Sequence, residues 1–244
     1  MKPFLIIQLR PNDQAADGEF EAFLKFGGLS KDEVHRVRME QTGIPEINFD
    51  NYSGVIIGGG PSCISTPEDQ KDESQKKFEA DLSRLLDQVV AKDFPFLGAC
   101  YGIGALSKHQ KGIVNKEKFS EDVGGVTIKL TEAGKNDPLT QGLPIEFRAF
   151  VGHKEACQNV ASGAVLLASS DTCPVQMIRV KTNIYATQFH PELDVEGLIV
   201  RINVYKFAGY FPPEDAEPLI EQVKKEEVTV PTMILKRFVD KYRN

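Results

Sequence analysis

The chain has 244 residues, of which 41% are hydrophobic and 26% are charged, and its formal net charge is -6 at pH 7. This length and hydrophobic content suit a globular protein with a real core, and we expect one large α/β domain rather than two small ones. No run of Lys or Arg exceeds two residues. Because phosphate backbones bind clustered positive charge, we expect no nucleic-acid partner.

The first apolar run, residues 4–9, is too short for a signal peptide or a membrane span. We therefore expect a buried first strand and no membrane association. The cysteines are irregularly spaced and include no C-x-x-C pair, which fits neither a disulfide framework nor a zinc site. We expect a cytoplasmic protein that holds no metal and no other cofactor, with three of the four cysteines acting as small buried hydrophobic residues. These three are Cys63, Cys157 and Cys173.

The first hundred residues alternate between strand-like and helical patterns, which predicts a parallel sheet with crossover helices. The clearest helix is predicted to begin with Thr66 as its N-cap and Pro67 as its first residue. Its apolar stripe has helical spacing and faces the core: Phe78, Leu82, Leu85, Leu86, Val89 and Val90. The predicted strands are residues 4–9, 34–39, 54–57 and 94–99.

From residue 124 to residue 188 the pattern changes to short strand-like segments separated by Gly, Pro and Asn, which predicts an antiparallel region added to the main sheet. A further helix is predicted to begin near Pro191, and the acidic tail after Pro212 predicts one or two more. We expect residues 1–210 to form the main domain and residues 211–244 a C-terminal helical extension of it. The predicted strands here are residues 126–130, 145–151, 165–168, 175–180 and 184–187.

An apolar strand, a turn and a helix follow one another over residues 94–106, with Cys100 at the turn. Gly98 and Gly102 flank this cysteine as in the G-x-S-x-G nucleophile elbow, where small residues let a strained backbone present the nucleophile. The N-terminus of the helix would favour the thiolate over the thiol. We predict that Cys100 is a nucleophile.

A base for this nucleophile is offered by His190, which follows a strand-like run, and Glu192 lies two residues beyond it. The carboxylate can orient the imidazole while the imidazole takes and returns a proton. This spacing is weak evidence alone but gains weight beside the elbow. We predict Cys100, His190 and Glu192 as a catalytic triad.

The strand at residues 54–57 ends in three glycines, whose backbone amides can approach a ligand without obstruction by a side chain. An oxyanion hole is built in this way, and we predict the amides of Gly60 and of Tyr101, the residue after the nucleophile, as its donors. A tight strand-to-helix connection without a ligand is the plainer alternative.

Three segments together resemble the class I (triad-type) glutamine amidotransferases, and among them the glutaminase domain of GMP synthetase. The resemblance covers about four-fifths of the chain. It implies a γ-glutamyl thioester on Cys100, release of glutamate and ammonia, glutamine as the substrate, and a synthase partner that receives the ammonia. We expect a flavodoxin-like, doubly wound α/β fold with the nucleophile at the carboxyl end of a central strand. The segments are Gly58-Gly59-Gly60-Pro61-Ser62, Gly98-Ala99-Cys100-Tyr101-Gly102 and Gln188-Phe189-His190-Pro191-Glu192.

The resemblance also implies a substrate pocket beside the elbow. The family usually places Gln where this chain has Gly104, and a His-x-Asp or His-x-Glu segment of the family is matched by His153 and Glu155. With Gly59 of the glycine loop, these residues are the expected substrate-binding positions. The absent Gln puts the preference for glutamine in question.

Other functions fit the same residues. A γ-glutamyl hydrolase or peptidase would agree with Gly104, because loss of a pocket residue could relax the choice of substrate. A cysteine protease or chaperone of the related Pfp-I/DJ-1 superfamily is disfavoured, since many of these have His directly after the cysteine and this chain has Tyr101. A non-catalytic or partner-dependent regulatory module is the alternative from another class. The chain has no pyrophosphatase-type loop and few residues after Glu192, which favours a stand-alone protein, and a homo-oligomer is compatible with it.

Overall fold

The computed structural model describes residues 2–244, which fold into a large sheet covered by helices. The strands are β1 (Phe4–Gln8), β2 (Val34–Arg38), β3 (Gly54–Ile57), β4 (Phe96–Ala99), β5 (Val114–Asn115), β6 (Glu121–Leu130), β7 (Glu146–His153), β8 (Ala156–Cys157), β9 (Ala164–Ser169), β10 (Met177–Val180) and β11 (Ile184–Thr187). The helices are α1 (Asp13–Gly27), α2 (Met39–Thr42), α3 (Glu73–Lys92), α4 (Tyr101–His109), α5 (Glu132–Lys135), α6 (Val195–Val204), α7 (Ala216–Val223) and α8 (Val230–Tyr242).

The main sheet has nine strands in the order β2-β1-β3-β4-β11-β10-β9-β6-β7. The first five of these strands are parallel to one another, and every later pairing is antiparallel. Strands β5 and β8 form a separate two-stranded sheet. The prediction of a flavodoxin-like, mostly parallel sheet with an added antiparallel region is confirmed.

The parallel strands β1, β3, β4 and β11 are buried on both faces, as expected for a sheet that helices cover on each side, whereas the edge strand β2 is only partly buried. Alternate residues of β1 show this division: Leu5 and Ile7 belong to the core under α3 and α4, whereas Phe4 and Ile6 belong to the core under α1 and α8. The predicted apolar stripe of α3 lies in the first of these cores. Side-chain alternation therefore separates two hydrophobic layers across one sheet.

Two helices begin later than the sequence predicts. Helix α3 begins at Glu73, because the carboxylate of Asp72 accepts the Gln75 amide at 2.7 Å, and the prediction of Thr66 as its N-cap is wrong. A separate short 3-10 turn, Glu68–Gln70, follows Pro67. Likewise α6 begins at Val195 rather than near Pro191, since Asp194 caps it by accepting the Gly197 amide at 2.9 Å. In both cases an aspartate further along the chain supplies the cap.

The tail after Pro212 contains two helices that pack against the rest of the chain. Helix α8 contributes Phe238 and Val239 to the core it shares with α1, and α7 contributes Ile220 to a smaller cluster with α6. The division at residue 210 remains a prediction. None of the helices within residues 2–244 combines the length and apolar character needed to cross a membrane.

Candidate active site

The carboxyl end of β4 carries Cys100 on a sharp turn into α4. The backbone of Cys100 has φ 52° and ψ -92°, a strained conformation for a residue with a side chain. A Cβ at Gly98 would lie 3.0 Å from the backbone of Gly102, so the strand and the helix approach each other too closely for a side chain there. The Cys100 amide donates to the Thr187 carbonyl at 2.8 Å, which ties the turn to β11. This is the geometry of a nucleophile elbow.

The segment after β11 brings His190 and Glu192 to the same edge of the sheet. His190 Nδ1 lies 2.9 Å from Glu192 Oε1. Arg201 Nη1 lies 3.0 Å from the same Nδ1. Because a carboxylate only accepts, the hydrogen bond to Glu192 is made by the tautomer that carries the proton on Nδ1 and leaves the lone pair on Nε2. The backbone amide of His190 donates to the Phe150 carbonyl at 3.1 Å, which anchors the segment. The carboxylate therefore fixes the imidazole in the tautomer that a general base needs.

The thiol and the imidazole converge over Gly59. A Cβ placed on Gly59 would lie 2.6 Å from His190 Cε1 and 3.2 Å from Cys100 Cβ. Within residues 2–244, no hydrogen bond joins the Cys100 thiol to the imidazole. Such bonds are often long in unliganded sites and shorten when substrate binds. The structure thus brings the three predicted triad residues together in a resting arrangement.

Burial sets the protonation of this group of residues. It raises the pKa of the Cys100 thiol to about 12 and lowers the pKa of the His190 imidazole below its ordinary 6.5. Burial would also raise the pKa of Glu192, but His190 and Arg201 outweigh it and hold that pKa below its usual range. The burial of the site therefore opposes the thiolate that we expect at the helix N-terminus and favours a neutral thiol beside a neutral imidazole.

The glycine loop after β3 leaves no room for side chains. A Cβ on Gly60 would lie 2.2 Å from the carbonyl oxygen of Leu9, which only a glycine avoids. Gly60 lines the space around Cys100, and the Tyr101 amide belongs to the first turn of α4, where helical amides have no intrahelical acceptor. Both residues that we predict as oxyanion donors therefore line one pocket together with Cys100.

A polar pocket opens on one side of Cys100. Its lining includes Tyr101, Gly104, His153, Glu155 and Gln188. A Cβ on Gly104 would lie 3.2 Å from Ile64 Cγ2 and 3.7 Å from Val114 Cγ1. These two apolar side chains therefore occupy part of the space that a longer residue at position 104 would use.

The predicted pocket residues His153 and Glu155 direct their polar atoms toward the protein. His153 contacts the Glu155 carbonyl through Nδ1 and the Glu121 carboxylate through Nε2, both at 2.8 Å. The Glu155 carboxylate accepts the amides of Ile64 at 2.7 Å and Ser65 at 2.9 Å. Both side chains therefore shape the pocket edge by holding backbone in place. No sequence motif indicated the buried partner Glu121.

Glu121, His153 and Cys173 are the side chains whose ligand atoms lie close enough together, within 4.8 Å, to hold a metal. The Glu121 carboxylate already accepts hydrogen bonds from the side-chain amide of Gln176 at 2.7 Å and from the hydroxyl of Ser170 at 2.8 Å, and it also contacts His153 Nε2. This donor set identifies a hydrogen-bonded network that supports the pocket rather than an open coordination site.

A second pocket also opens beside Cys100, and we call it the apolar pocket for its aliphatic and aromatic walls. It shares Gly60, Cys100, Gly152 and Tyr210 with the polar pocket. Its walls come from β6, β7, α6 and the segment after α6, and include Val123, Val151, Leu193, Leu198, Ile202 and Phe211. Sequence patterns gave no indication of this pocket, because its lining residues come from distant parts of the chain.

Two buried arginines line the apolar pocket, and no sequence motif pointed to either of them. Arg201 Nη2 donates to Glu192 Oε1 at 2.7 Å, and Arg10 Nε donates to Glu19 Oε1 at 2.7 Å. Arg10 follows β1 directly, at the sheet edge where the other site residues lie, and that position was the signal available in the sequence.

Known proteins share both the sequence pattern and the fold. The family described as glutamine amidotransferase class-I matches residues 27–197. A glutamine-hydrolysing GMP synthase from Thermosipho africanus is 32% identical over 149 residues, covering 61% of this chain and 26% of the relative. One subunit of the glutamine-hydrolysing GMP synthase from Thermoplasma volcanium is 32% identical over 147 residues, covering 60% of this chain and 65% of the relative.

A crystal structure of a glutamine amidotransferase from Thermotoga maritima superimposes with a TM-score of 0.77 at 20% identity, covering 98% of this chain and 99% of that one. At this identity the likeness shows the fold. The chain spans about a quarter of the length of the whole synthases that it matches. The chain belongs to the class-I glutamine amidotransferase family.

The closeness of Gly59 to the imidazole makes a first prediction. Gly59→Ala would place a methyl group 2.6 Å from His190 Cε1 and 3.2 Å from Arg10 Nη2, so the ring must move. We expect kcat/KM for glutamine to fall about 100-fold, since small displacements of a positioned base cost that much. Gly18→Ala, where a Cβ meets no atom within 4 Å, is the control and should keep full activity. Unchanged kinetics in Gly59→Ala would contradict this placement of the imidazole.

Proposed function

We propose that this enzyme of the class-I glutamine amidotransferase family hydrolyses the γ-amide of glutamine through a thioester on Cys100. The observation that carries the proposal is that Cys100 and His190 meet at Gly59 of the glycine loop. Glu192 Oε1 lies 2.9 Å from Nδ1 of the imidazole and orients it. The family membership supports the same chemistry.

In the first half-reaction, His190 Nε2 takes the thiol proton as sulfur attacks the amide carbon. The carbonyl oxygen becomes an oxyanion, which the amides of Gly60 and Tyr101 stabilise by donating hydrogen bonds. The imidazolium then returns its proton to the amide nitrogen, the carbon–nitrogen bond breaks, and ammonia leaves. The γ-glutamyl group remains on sulfur as a thioester.

In the second half-reaction, water adds to the thioester while His190 accepts one of its protons. The same two amides hold the new oxyanion, and the imidazolium protonates the departing sulfur. Glutamate is released and the neutral thiol is restored, which agrees with the raised pKa of about 12 for Cys100. Glu192 keeps its charge throughout and offsets the charge of the imidazolium.

The lowered pKa of His190 predicts the acid side of the pH profile. A base with a depressed pKa stays neutral to lower pH, and activity is lost only as the pH falls through that lowered value. We expect the acid limb of kcat/KM for glutamine to have its midpoint below pH 6.5. Initial rates between pH 4.5 and about 8.5 would measure it, and a midpoint at or above 6.5 would contradict the neutral resting imidazole.

A γ-glutamyl hydrolase is the second candidate, and the apolar pocket favours it. Its walls include Leu198, Ile202 and Phe211, and it meets the polar pocket at Cys100. If the glutamyl group occupies the polar pocket, the apolar pocket offers space for a leaving amine larger than ammonia. Gly104 agrees with such a relaxed choice of substrate.

Glutamate release from glutamine and from a panel of γ-glutamyl peptides separates these candidates. The panel should contain leaving residues of increasing apolar size, and Cys100→Ala is the control for cysteine-dependent turnover. Preference for glutamine supports the amidotransferase. A kcat/KM that rises with the size of the leaving residue supports the hydrolase, and no turnover of any substrate argues against both.

We propose that the ammonia passes to a separate synthase partner. The relative from Thermoplasma volcanium is one subunit of a GMP synthase, which supports a two-part arrangement. Cross-linking in cell extract during glutamine turnover would identify the acceptor. A cytoplasmic location, the absence of a nucleic-acid partner and a homo-oligomeric state remain predictions from the sequence.

A further inference from the structure

Four charged side chains form a buried network behind the triad. Arg10 Nε donates to Glu19 Oε1 at 2.7 Å, and Arg201 Nη2 lies 3.5 Å from the same oxygen. Arg201 Nη2 also donates to Glu192 Oε1 at 2.7 Å. The four side chains are less than one-tenth exposed. A continuous chain of ion pairs therefore runs from Arg10 to the carboxylate that orients His190.

Arg10 is the member of this network that turns toward the thiol. A Cβ on Gly59 would lie 3.2 Å from Arg10 Nη2 and also 3.2 Å from Cys100 Cβ. Glu19 lies on the far side, since its Oε2 would be 2.5 Å from a Cβ on Gly58. Arg10 Nη1 also donates a hydrogen bond to the Tyr205 hydroxyl at 3.2 Å. Glu19 and Tyr205 thus hold Nε and Nη1 of the guanidinium, while Nη2 lies on the Gly59 side, where Cys100 also lies.

We propose that Arg10 is a positioning residue whose Glu19-held guanidinium stabilises the negative sulfur of Cys100 during attack and departure, while Arg201 holds Glu192 against His190. The proposal rests on Cys100 acting as the nucleophile of the proposed function. No bond is made or broken by either arginine. Their effect is electrostatic, and it is strong because the site is buried.

The charges around Cys100 support this assignment. Burial is the largest influence and raises the pKa of the thiol; Arg10 is the largest opposing one, and Arg201 also lowers the pKa. Glu192 and Glu155 raise it. The phenol of Tyr210 also faces the thiol. The two arginines of the network balance the charges of Glu19 and Glu192, so the effect on sulfur depends on which charged group acts on it most strongly, and that group is Arg10.

This arrangement predicts opposite effects for two neutralising substitutions. Arg10→Gln removes the cation that faces the sulfur and should raise the pKa of the thiol. Glu19→Gln keeps a hydrogen-bond acceptor for Arg10 but removes its neutralising charge, so the thiol pKa should fall. Arg10→Lys keeps the charge and should stay close to wild type. A purely structural role would loosen the site in both neutralised variants and change the reactivity of Cys100 in the same direction.

The test is the rate at which iodoacetamide alkylates Cys100 in the full chain, followed by peptide mass at two pH values below the thiol pKa. The rate is then proportional to the thiolate fraction, so a shift of one pKa unit changes it about tenfold. We expect Arg10→Gln to react about tenfold more slowly, Glu19→Gln severalfold faster, and Arg10→Lys within about threefold of wild type. Arg148→Gln, which neutralises an Arg–Glu pair at Glu226 outside both pockets, is the matched control and should react as wild type does.

Equal rates in Arg10→Gln and Glu19→Gln, or shifts of the same sign, would overturn the proposal. Circular dichroism of each variant establishes that the chain is folded. If a neutral residue at position 10 prevents folding, the alkylation rate of Arg10→Lys is the test instead. A change of more than tenfold in that rate would contradict a charge effect. Alkylation requires no glutamine turnover. Opposed shifts in a protein that hydrolyses no γ-glutamyl amide would therefore contradict the proposed function, while the electrostatic effect of Arg10 on the Cys100 thiolate would still hold.

Discussion

Replacement of Cys100 by alanine is expected to abolish glutamate release from glutamine, with a loss of kcat on the order of 10⁴-fold or more. The substitution removes only the thiol group, and no other thiol lies at the elbow. The backbone strain at φ 52° remains in the variant, so the fold should persist. Steady-state release of glutamate, measured with the enzyme in excess of any contaminating glutaminase, is the assay.

Cys157→Ser provides the control for a cysteine that does not face substrate. Its sulfur lies 3.0 Å from the Ser107 hydroxyl in the core beneath α4, so a serine there keeps a hydrogen-bond partner. This variant should retain most of the activity. If Cys100→Ala hydrolyses glutamine at the wild-type rate, the nucleophile has been assigned to the wrong residue.

The chemistry of the site could be read from the sequence because each motif is short and local. An elbow needs small residues on both sides of Cys100, and the structure shows why: the backbone of Gly102 lies 3.0 Å from where a side chain of Gly98 would begin. Similarly, His190 and Glu192 are close in the chain and meet at 2.9 Å in the fold. Spacing in the sequence was therefore sufficient to predict a contact wherever both residues belong to one short segment of the chain.

Longer-range features could not be read in this way. Arg201 contacts Glu192 directly, and Arg10 is linked to Arg201 through Glu19. Arg201 lies far along the chain from the other two residues. Nothing in the local pattern distinguishes such arginines from exposed ones. The burial that raises the pKa of Cys100 could not be predicted for a related reason, because it comes from residues spread over the whole chain.

The predicted starts of α3 and α6 were wrong for a different physical reason. Thr66 and Pro67 form an acceptable N-terminal signal, yet Asp72 lies a few residues later and caps the helix through the Gln75 amide. Several candidate caps in succession leave the choice to tertiary packing. The parallel strands were easier to place, since β1, β3 and β4 are buried along their whole length and therefore apolar.

The second large effect is expected for Gly60→Ala. The added methyl carbon would lie 2.2 Å from the Leu9 carbonyl oxygen and 2.6 Å from Leu9 Cγ, and backbone cannot yield as a flexible side chain can. The loop must therefore shift, and its amide moves away from the oxyanion. Loss of one such donor costs about 3 kcal/mol of transition-state stabilisation, or roughly 10²-fold to 10³-fold in kcat.

The pattern of the kinetic change identifies the role of the Gly60 amide. An amide that acts only on the oxyanion contributes to the transition state, so kcat should fall while KM for glutamine changes by less than about threefold. Overpacking should also lower the free energy of unfolding by about 1–3 kcal/mol, which urea denaturation would measure. Gly18→Ala, on the exposed face of α1, should instead be neutral or stabilising. If Gly60→Ala loses that stability yet keeps its kcat, Gly60 is required by the packing against Leu9, and the oxyanion donor must lie elsewhere in the loop.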